Sequence, residues 1–431
     1  MGIYPNPNYR MYWGTMAPNL QIKNALDGGV PRFEHLKRFL HFNDNASMPT
    51  DCTDKLYKIR PVLESVREKC RNLEQEEYNA VDEQMIPTKS RSSIKQYMPK
   101  KPHKWGYKVF SRCGSSGMLY DFEVYTGSDG REKTELGATG DLVVRLCSNI
   151  PKHQNYKVYF DNYFTSIPLI RNLREEGIQA LGTIRANRTQ GADKLLRSEK
   201  ELKKEGRGAS DWRTDVSTNV TVLKWLDNSV VHLASGFIPP SDGPLVRRWS
   251  KTEKSYLEVA CPQMVHEYNK FMGGVDLCDM LLSLYRVKLK SRRWYMAIFY
   301  YLLKVAVTNA WLLYRRHCDL KSGPSQSSSV MSLQNFQSLL AFDLINAGKV
   351  TKRGRPSSSG PVPPPKKRTS GTPVPIGESR YDQYGHFPII GDKQNRCRLC
   401  AKGKSNWKCS KCNVFLCITS ARNCFYNFHM K

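Results

Sequence analysis

Acidic residues recur at points of the sequence where a buried strand or a helix would present them at one edge of a sheet. Asp161 ends the apolar run Lys157–Phe160 and is followed by a helix-starting Thr-Ser-Ile-Pro, while Asp82 lies within another apolar run. Asp276 follows a Gly-Gly pair, and Asp279 lies on the same face of the helix expected there. Because buried carboxylates without a cation are costly, a shared metal ion explains these acids better than separate surface positions would. Mg²⁺ and Mn²⁺ prefer oxygen ligands, so the pattern predicts a Mg²⁺ or Mn²⁺ site.

The charge of the chain indicates what such a site would act on. There are 67 Lys and Arg against 39 Asp and Glu, a formal net charge of +28. This excess favours a polyanionic partner, although a merely soluble basic protein has the same composition. Two divalent ions about 4 Å apart can cut or join a phosphodiester. The sequence lacks a Gly-x-x-x-x-Gly-Lys loop and a Ser/His/Asp or Cys/His signal, which argues against nucleotide-driven or triad chemistry. We therefore expect double-stranded DNA as the partner.

Basic residues lie close in sequence to two of the acids and predict contacts to the DNA backbone. They are Lys100, Lys101 and Lys104 after the first acid, and Arg286, Lys288, Lys290, Arg292 and Arg293 after the third. Further on, Arg353 and Arg355 flank a glycine as in an AT-hook, which enters a narrow minor groove. The sequence Pro364-Pro365-Lys366-Lys367-Arg368 is typical of a nuclear import signal and predicts a nuclear location. Both stretches also fit a plain basic linker.

The end of the chain has the composition of a zinc module. Paired Cys at i, i+3 aim two thiolates at one ion, and the residues available are His386, Cys397, Cys400, Cys409, Cys412, Cys417, Cys424 and His429. These eight ligands suffice for two tetrahedral Zn²⁺ sites, whereas disulfides are disfavoured in a reducing compartment. A zinc hydrolase is a poor alternative, because eight ligands for two ions leave no open position for substrate.

The elements expected to position the acids follow from periodicity. Residues 77–86, 105–113 and 118–125 have strand character, with a Gly-Ser-Ser-Gly turn before the last run. A helix over 140–147, a strand ending at Asp161, a helix over 166–176 and a strand over 179–184 follow. This order is that of a ribonuclease H-like mixed sheet in an α/β fold, interrupted after residue 185. The apolar stretch 294–313 is long enough for a membrane, but its central Lys304 favours a core helix, so we expect no membrane partner.

Four sequence blocks resemble those of piggyBac-family transposases. They are Asn79-Ala80-Val81-Asp82-Glu83-Gln84-Met85-Ile86-Pro87, Lys100-Lys101-Pro102-His103-Lys104-Trp105-Gly106, Tyr159-Phe160-Asp161-Asn162-Tyr163-Phe164-Thr165-Ser166 and Met272-Gly273-Gly274-Val275-Asp276-Leu277-Cys278-Asp279. The blocks occur in order and the similarity covers nearly the whole chain, so the chain is identified as resembling piggyBac transposable element-derived proteins.

The resemblance implies a ribonuclease H-like DDD core with Asp82, Asp161 and Asp276 as catalytic acids and Asp279 as an additional acid. In this scheme the core consists of 77–185 and 265–285 around an insertion domain at 186–264, and a helical dimerisation and DNA-binding domain consists of 1–76 and 286–345. A basic linker at 346–385 and a zinc-binding domain at 386–431 complete it. The family's cross-brace pattern implies that Cys397, Cys400 and Cys417 share one ion, with His386, and that Cys409, Cys412, Cys424 and His429 share the other.

The resemblance also implies a function. In the family, the acids nick the transposon ends at the terminal repeats, form hairpins and join the element into TTAA targets, and the chain is expected to act as a homodimer. The alternative is a domesticated nuclear DNA-binding or chromatin factor that keeps the fold without transposition activity. The chain begins directly in sequence of helical character, as a fragment or a shortened product would.

Overall fold

The computed structural model describes residues 2–3, 8–13, 29–127, 132–287, 289–322, 330–347, 375–400 and 403–430. The chain forms two compact units, residues 1–340 and 341–431. The helices are α1 (Gly29–Phe39), α2 (Arg60–Arg71), α3 (Gly137–Cys147), α4 (Ile167–Glu175), α5 (Ala192–Leu195), α6 (Glu199–Glu205), α7 (Gln263–Phe271), α8 (Gly274–Ser283), α9 (Tyr295–Ser322), α10 (Leu333–Asn346), α11 (Gly377–Arg380) and α12 (Cys424–His429). Short 3₁₀ turns occur at Tyr9–Trp13 and Ala186–Arg188.

The strands of the first unit are β1 (Tyr78–Pro87), β2 (Gln96–Tyr97), β3 (Trp105–Gly114), β4 (Leu119–Val124), β5 (Lys157–Phe160), β6 (Gln179–Thr183), β7 (Ser210–Asp215), β8 (Val220–Leu226), β9 (Val230–Ser235), β10 (Leu245–Ser250) and β11 (Ser255–Ala260). Within the described residues, nine of them form one mixed sheet in the order β2-β3-β1-β5-β6-β9-β8-β7, with β4 also on β3. Strands β1, β5 and β6 are parallel to one another. Strand β3 is antiparallel to β1, and β4 is antiparallel to β3. The strands β10 and β11 form a separate hairpin.

Local sequence explains why the core elements begin and end where they do. Gly117 has φ of +84°, and its amide donates to the Gly114 carbonyl at 2.9 Å, which closes the tight turn between β3 and β4. Helix α4 begins at Ser166, whose side chain accepts a hydrogen bond from the Leu169 amide, and a proline occupies its first turn. Both the glycine turn and the Ser166 cap are local signals that the sequence shows without any tertiary contact.

The two faces of the central sheet carry different cores. On one face, Val81, Phe110 and Phe160 pack against α3 and α4. On the other, Ala80, Tyr107 and Val109 pack with α2, α8 and α9. Alternate residues of β1 therefore enter opposite cores, as the period-two geometry of a strand requires. Helix α9 is hydrogen-bonded to the sheet as well, because the Asn309 amide group accepts from the Leu119 amide and donates to its carbonyl.

Helix α9 is also the one described helix that is long and apolar enough to cross a membrane by length and composition. In its most apolar stretch, 44% of the residues are buried inside the protein. Its buried residues Met296, Ile298, Leu302 and Val305 belong to the core that covers β1 and β3. The helix therefore has a packed apolar face within the first unit.

The segment 186–264, predicted as an insertion domain, continues the main sheet. Strand β9 pairs antiparallel with β6, and β8 and β7 extend the sheet outward from it. Only β10 and β11 among its described strands form a sheet of their own.

The second unit is a small module. Strand β12 (Pro388–Arg396) pairs with β13 (Lys404–Cys409), β14 (Ile418–Thr419) pairs with β15 (Arg422–Asn423), and α12 follows. Its core consists mainly of six cysteines with Val414, Leu416 and Phe428. So small an apolar core leaves the cysteines as the main candidates for holding the module together.

Candidate metal centres and nucleic-acid interface

Asp82 and Asp161 lie side by side on neighbouring parallel strands. Val81 on β1 pairs with Phe160, the last residue of β5, so the residue that follows each of them is an aspartate. Matched register places both side chains on the same face of the sheet, with the strands about 4.8 Å apart. Asp161 is held where the chain turns out of the sheet, because its Oδ1 accepts the Tyr163 amide at 2.7 Å. Its carbonyl accepts the Thr165 hydroxyl, also at 2.7 Å.

Helix α8 brings the third acid to that face. It packs against β1 and β3, and its first residue, Gly274, lies directly on the β3–β4 turn. A Cβ added to Gly274 would lie 2.6 Å from the Gly114 carbonyl oxygen, so only glycine permits this approach. The Gly-Gly pair therefore sets the position of the helix. Asp276 is exposed and Asp279 is half-buried on α8.

The electrostatics of the site reflect carboxylates withdrawn from water. Burial raises the pKa of Asp82 to about 7. The Glu83 amide, which donates to Asp82 Oδ1 at 2.8 Å, opposes that rise, and the charge of Asp161 adds to it. Burial likewise raises the pKa of Asp279, and the charge of Asp276 contributes to this shift. A divalent cation beside these carboxyl groups would stabilise their charged forms.

Tyr268 on α7 provides a further sign that the acids converge. Burial, together with the charges of Asp161, Asp82 and Asp276, raises the pKa of Tyr268 to about 12. A single hydroxyl is therefore within electrostatic reach of all three carboxylates. In the part of the chain that the structure describes, however, no three of these acids have ligand oxygens within 4.8 Å of one another. The acids share a face of the sheet, but their oxygens are not gathered into one closed set of metal ligands.

The predicted DNA-contacting residues near the first acid differ in position. Lys100 and Lys104 are exposed, whereas Lys101 is half-buried and donates from Nζ to the Glu83 carbonyl at 2.9 Å. The charge of Lys101 opposes the rise in pKa of both Asp82 and Asp279. Lys101 therefore belongs to the acid site itself.

The basic residues after the third acid also divide into two groups. Arg286, Lys290 and Arg292 are exposed, and Arg286 donates to the Pro87 carbonyl at 3.2 Å. Arg293 is half-buried, and its guanidinium donates to the carbonyls of Leu40, at 3.0 Å, and Arg38. It thereby ties the start of α9 to the end of α1. Lys288, Arg353 and Arg355 lie outside the described residues.

Two groups of metal-ligand atoms occur in the second unit. His386, Cys409, Cys412 and His429 form one group, and Cys397, Cys400, Cys417 and Cys424 form the other. Within each, the four ligand atoms all lie within 4.8 Å of one another. Either group has the composition and closed geometry of a four-coordinate metal site.

The predicted cross-brace pairing was wrong in two positions, because His386 and Cys424 exchange groups. The reason is helix α12, which begins at Cys424 and ends at His429. From Cys424 to His429 the helix advances about 7.5 Å along its axis and turns by about 500°, which leaves the two side chains about 140° apart around it. These two side chains therefore cannot reach one ion, and α12 bridges the two groups instead.

Hydrogen bonds orient both histidines towards their group. His386 Nδ1 lies 3.3 Å from the sulfurs of Cys409 and Cys412, and its Nε2 lies 3.0 Å from Asp382 Oδ1. His429 Nε2 lies 3.4 Å from Cys412 Sγ, and its Nδ1 lies 2.8 Å from the Phe425 carbonyl. Contacts of this kind fix the ring and the tautomer of metal-binding histidines.

Comparisons with known proteins agree with the similarity seen in the sequence blocks. A family model described as Transposase IS4 matches residues 1–311. Human PiggyBac transposable element-derived protein 3 is 30% identical over 434 residues, which cover 99% of this chain and 68% of the relative. The chain belongs to the piggyBac transposase-derived family. Human PiggyBac transposable element-derived protein 2 is 30% identical over 406 residues, 93% of this chain and 64% of that protein. The chain thus spans about two thirds of the length of these family members.

A solved structure shares the fold. It is the cryo-EM structure of a piggyBac transposase synaptic complex with hairpin DNA, with a TM-score of 0.60 and 22% identity, covering 90% of this chain and 77% of that chain. The mixed α/β architecture with its large mixed sheet therefore matches the piggyBac transposase fold.

Sequence reasoning missed two residues that lie near the acids. Tyr268 precedes Asp276 by two helical turns and a break, within an ordinary amphipathic helix. Lys108 on β3 lies on the opposite face of the sheet, with Phe110, and burial lowers its pKa, while the charges of Glu83 and Asp82 oppose that shift. Its Nζ lies 4.5 Å from the ring centroids of both Phe110 and Tyr163. Neither residue has a spacing signal, because each is brought to the acids by sheet register and helix packing.

Proposed function

We propose that the chain is a metal-dependent DNA transposase that cleaves strands at transposon ends and joins them into TTAA targets. The observation that carries this proposal is the adjacency of Asp82 and Asp161 on paired parallel strands, with α8 packed on the same face. The order β4-β3-β1-β5-β6, with three antiparallel strands and two parallel ones, supports a ribonuclease H-like core. In this scheme Asp82, Asp161 and Asp276 are the catalytic acids, and Asp279 supports them.

The residues present fit Mg²⁺ or Mn²⁺. Carboxylate oxygens are hard donors, and a cation bound beside Asp82 would offset the burial that raises the pKa of its carboxyl group. When bound, such ions activate a water or hydroxyl and stabilise the departing oxygen of a phosphodiester. Asp82 and Asp161 would hold the ions from the sheet, and Asp276 would complete the set from α8. Because Asp82 must be ionised to bind, metal uptake should release a proton near neutral pH.

Exposed cations beside the acids support double-stranded DNA as the substrate. Lys100, Lys104, Arg286, Lys290 and Arg292 are all exposed. Together with a net charge of +28, they suit a phosphate backbone drawn across the acid face. We infer transposon terminal repeats as the DNA, a homodimer as the acting species and the nucleus as its location.

The second unit, we infer, binds two Zn²⁺ ions, one in each Cys/His group. Thiolate and imidazole donors in closed sets of four favour Zn²⁺ in a structural site. Gly403 supports the tight geometry, because a Cβ there would lie 2.6 Å from Cys417 Sγ and 2.7 Å from Cys400 Sγ. Zinc would thus fold the module rather than take part in strand cleavage.

A strand-cleavage assay tests the proposal. Purified wild type, incubated with Mn²⁺ and labelled terminal-repeat DNA, should nick the element end, whereas Asp82→Asn, Asp161→Ala and Asp276→Asn should each lose activity by at least about 1000-fold. The exposed Asp242→Asn serves as a matched control and should cleave like wild type. Equal strand-cleavage activity of wild type and Asp161→Ala would refute the proposal that the chain is an enzyme.

One observation favours a second candidate, a DNA-binding factor without strand chemistry. Among the described residues, the acid oxygens are not gathered as closely as the ligands of the Cys/His groups. Such a factor would bind terminal-repeat DNA with the same affinity in wild type and in Asp161→Ala, and neither would cut it at any Mn²⁺ concentration.

A further inference from the structure

The connection from β1 to β3, residues 88–105, is the most one-sided charged segment beside the acid site. It contains five lysines, one arginine and no acidic residue. Lys89, Arg91, Lys100 and Lys104 are exposed. These charges alone would be typical of a solvated cationic loop, but this segment also carries exposed aromatic rings.

Tyr97 and Trp105 form an aromatic pair on its surface. Their side chains are 51% and 54% exposed, and their ring centroids are 4.9 Å apart at an interplanar angle of 46°. Lys95 Nζ lies 5.1 Å from the Trp105 ring centroid. Large aromatic rings that are half exposed in a cationic setting leave an apolar face available beside phosphate-binding groups.

The pair is held firmly by the backbone. Trp105 is in register with Tyr97 in the β2–β3 pairing, and its carbonyl accepts the Thr88 amide at 3.4 Å. The next residue, Gly106, lies so close to β1 that a Cβ would be 2.4 Å from the Ile86 carbonyl oxygen. The exposure of Trp105 is therefore built into the sheet rather than produced by a loose loop.

The segment also connects the pair with the acid site. Along β1, the six residues from Asp82 to Thr88 span about 20 Å. In the same segment, Lys101 reaches back to the Glu83 carbonyl beside Asp82. A DNA strand whose phosphate lies at the acids would therefore pass the aromatic pair about 20 Å away.

We propose that Tyr97 and Trp105 form a stacking platform for unpaired bases of the DNA strand that enters the acid site. In a duplex the base faces are covered by their neighbours, so a ring platform of this kind selects nucleotides that are unpaired. The lysines around it bind the adjoining phosphates. This inference rests on the proposed DNA substrate and deepens it, because it names an unpaired segment of that substrate.

The test uses the full chain and two substrates, terminal-repeat DNA as a continuous duplex and the same DNA with one strand unpaired near the nick site. Trp105→Ala should weaken binding to the unpaired substrate by about tenfold and binding to the duplex by less than about twofold. Trp105→Phe should retain most of the affinity. Trp212→Ala is the matched control, because Trp212 is 41% exposed but lies between Asp211 and Asp215.

A second measurement needs no variant. With wild-type protein, 2-aminopurine placed at successive unpaired positions should lose most fluorescence at one short run of positions, about 20 Å from the scissile phosphate. If Trp105→Ala binds both substrates like wild type, or quenching is equal at every position, the platform is refuted while cleavage by wild type leaves the proposed function standing. If wild type binds neither DNA, both proposals fail.

Discussion

Replacing Asp82 by asparagine should stabilise the protein in the absence of divalent ions while it abolishes strand cleavage. Burial raises the pKa of Asp82 from 3.8 to about 7. A rise of this size in the pKa corresponds to about 4 kcal/mol at a pH above both values. The folded state is destabilised by this amount when the carboxyl is ionised, and asparagine removes the charge while keeping the shape.

Folding raises the pKa of Asp82, and this direction determines how the stability difference between wild type and Asp82→Asn depends on pH. Below about pH 4 the carboxyl is protonated in both folded and unfolded chains, so its pKa shift costs nothing. As the pH rises towards 7, the unfolded chain releases this proton first, and the wild type loses stability that Asp82→Asn keeps. The advantage of the variant should therefore grow by about 2.6 kcal/mol between pH 5 and pH 8 and then stay constant.

The assay is urea unfolding followed by tryptophan fluorescence, without added Mg²⁺ or Mn²⁺, at pH 5, 6, 7 and 8. The exposed Asp242→Asn is the control and should show no pH-dependent gain over wild type. Added Mn²⁺ should then stabilise the wild type more than Asp82→Asn, because ligands stabilise the state that binds them. A free-energy difference between wild type and Asp82→Asn that is equal at pH 5 and pH 8 would refute the reasoning.

Further predictions concern residues away from the acids. Arg112 is fully buried, and its guanidinium donates to four neutral acceptors, among them Asn79 Oδ1 at 2.7 Å. Arg112→Met should therefore lower the free energy of unfolding in urea by at least about 3 kcal/mol. A loss below about 1 kcal/mol would contradict this prediction. Arg293→Ala should lower the free energy of unfolding by about 1–3 kcal/mol, because it loses the hydrogen bonds to the end of α1. Arg292 is exposed, so Arg292→Ala should leave unfolding unchanged and reduce the salt dependence of DNA binding. Equal stability of the two variants would argue against a structural role for Arg293 and a DNA-binding role for Arg292. Metal analysis should give two zinc ions per chain and one in Cys397→Ser, and two ions in the variant would count against the site.

The elements that carry the first two acids were predictable because their signals are local. The strand predicted over 77–86 is β1, which carries Asp82, and the strand predicted to end at Asp161 is β5, which stops one residue earlier. Apolar runs, the Gly-Ser-Ser-Gly turn and the Ser166 cap are all properties of a few consecutive residues.

What the sequence did not reveal depends on partners distant in the chain. The segment 186–264 has strand character, but its pairing with β6 is a choice among sheet edges that no local pattern specifies. The positions of Tyr268 and Lys108 near the acids likewise follow from packing. The grouping of the Cys and His residues was mispredicted because spacing alone does not show that α12 separates Cys424 from His429.

Counting bound Mn²⁺ by electron paramagnetic resonance tests the central claim most directly. Zinc-loaded wild type, bound to terminal-repeat DNA, should hold two Mn²⁺ per chain at saturation. Asp161→Asn should hold at most one under the same conditions, because it removes a ligand of the site while leaving its DNA-binding residues in place. The same number of Mn²⁺ ions in wild type and Asp161→Asn would contradict the assignment of Asp82, Asp161 and Asp276 as one metal centre.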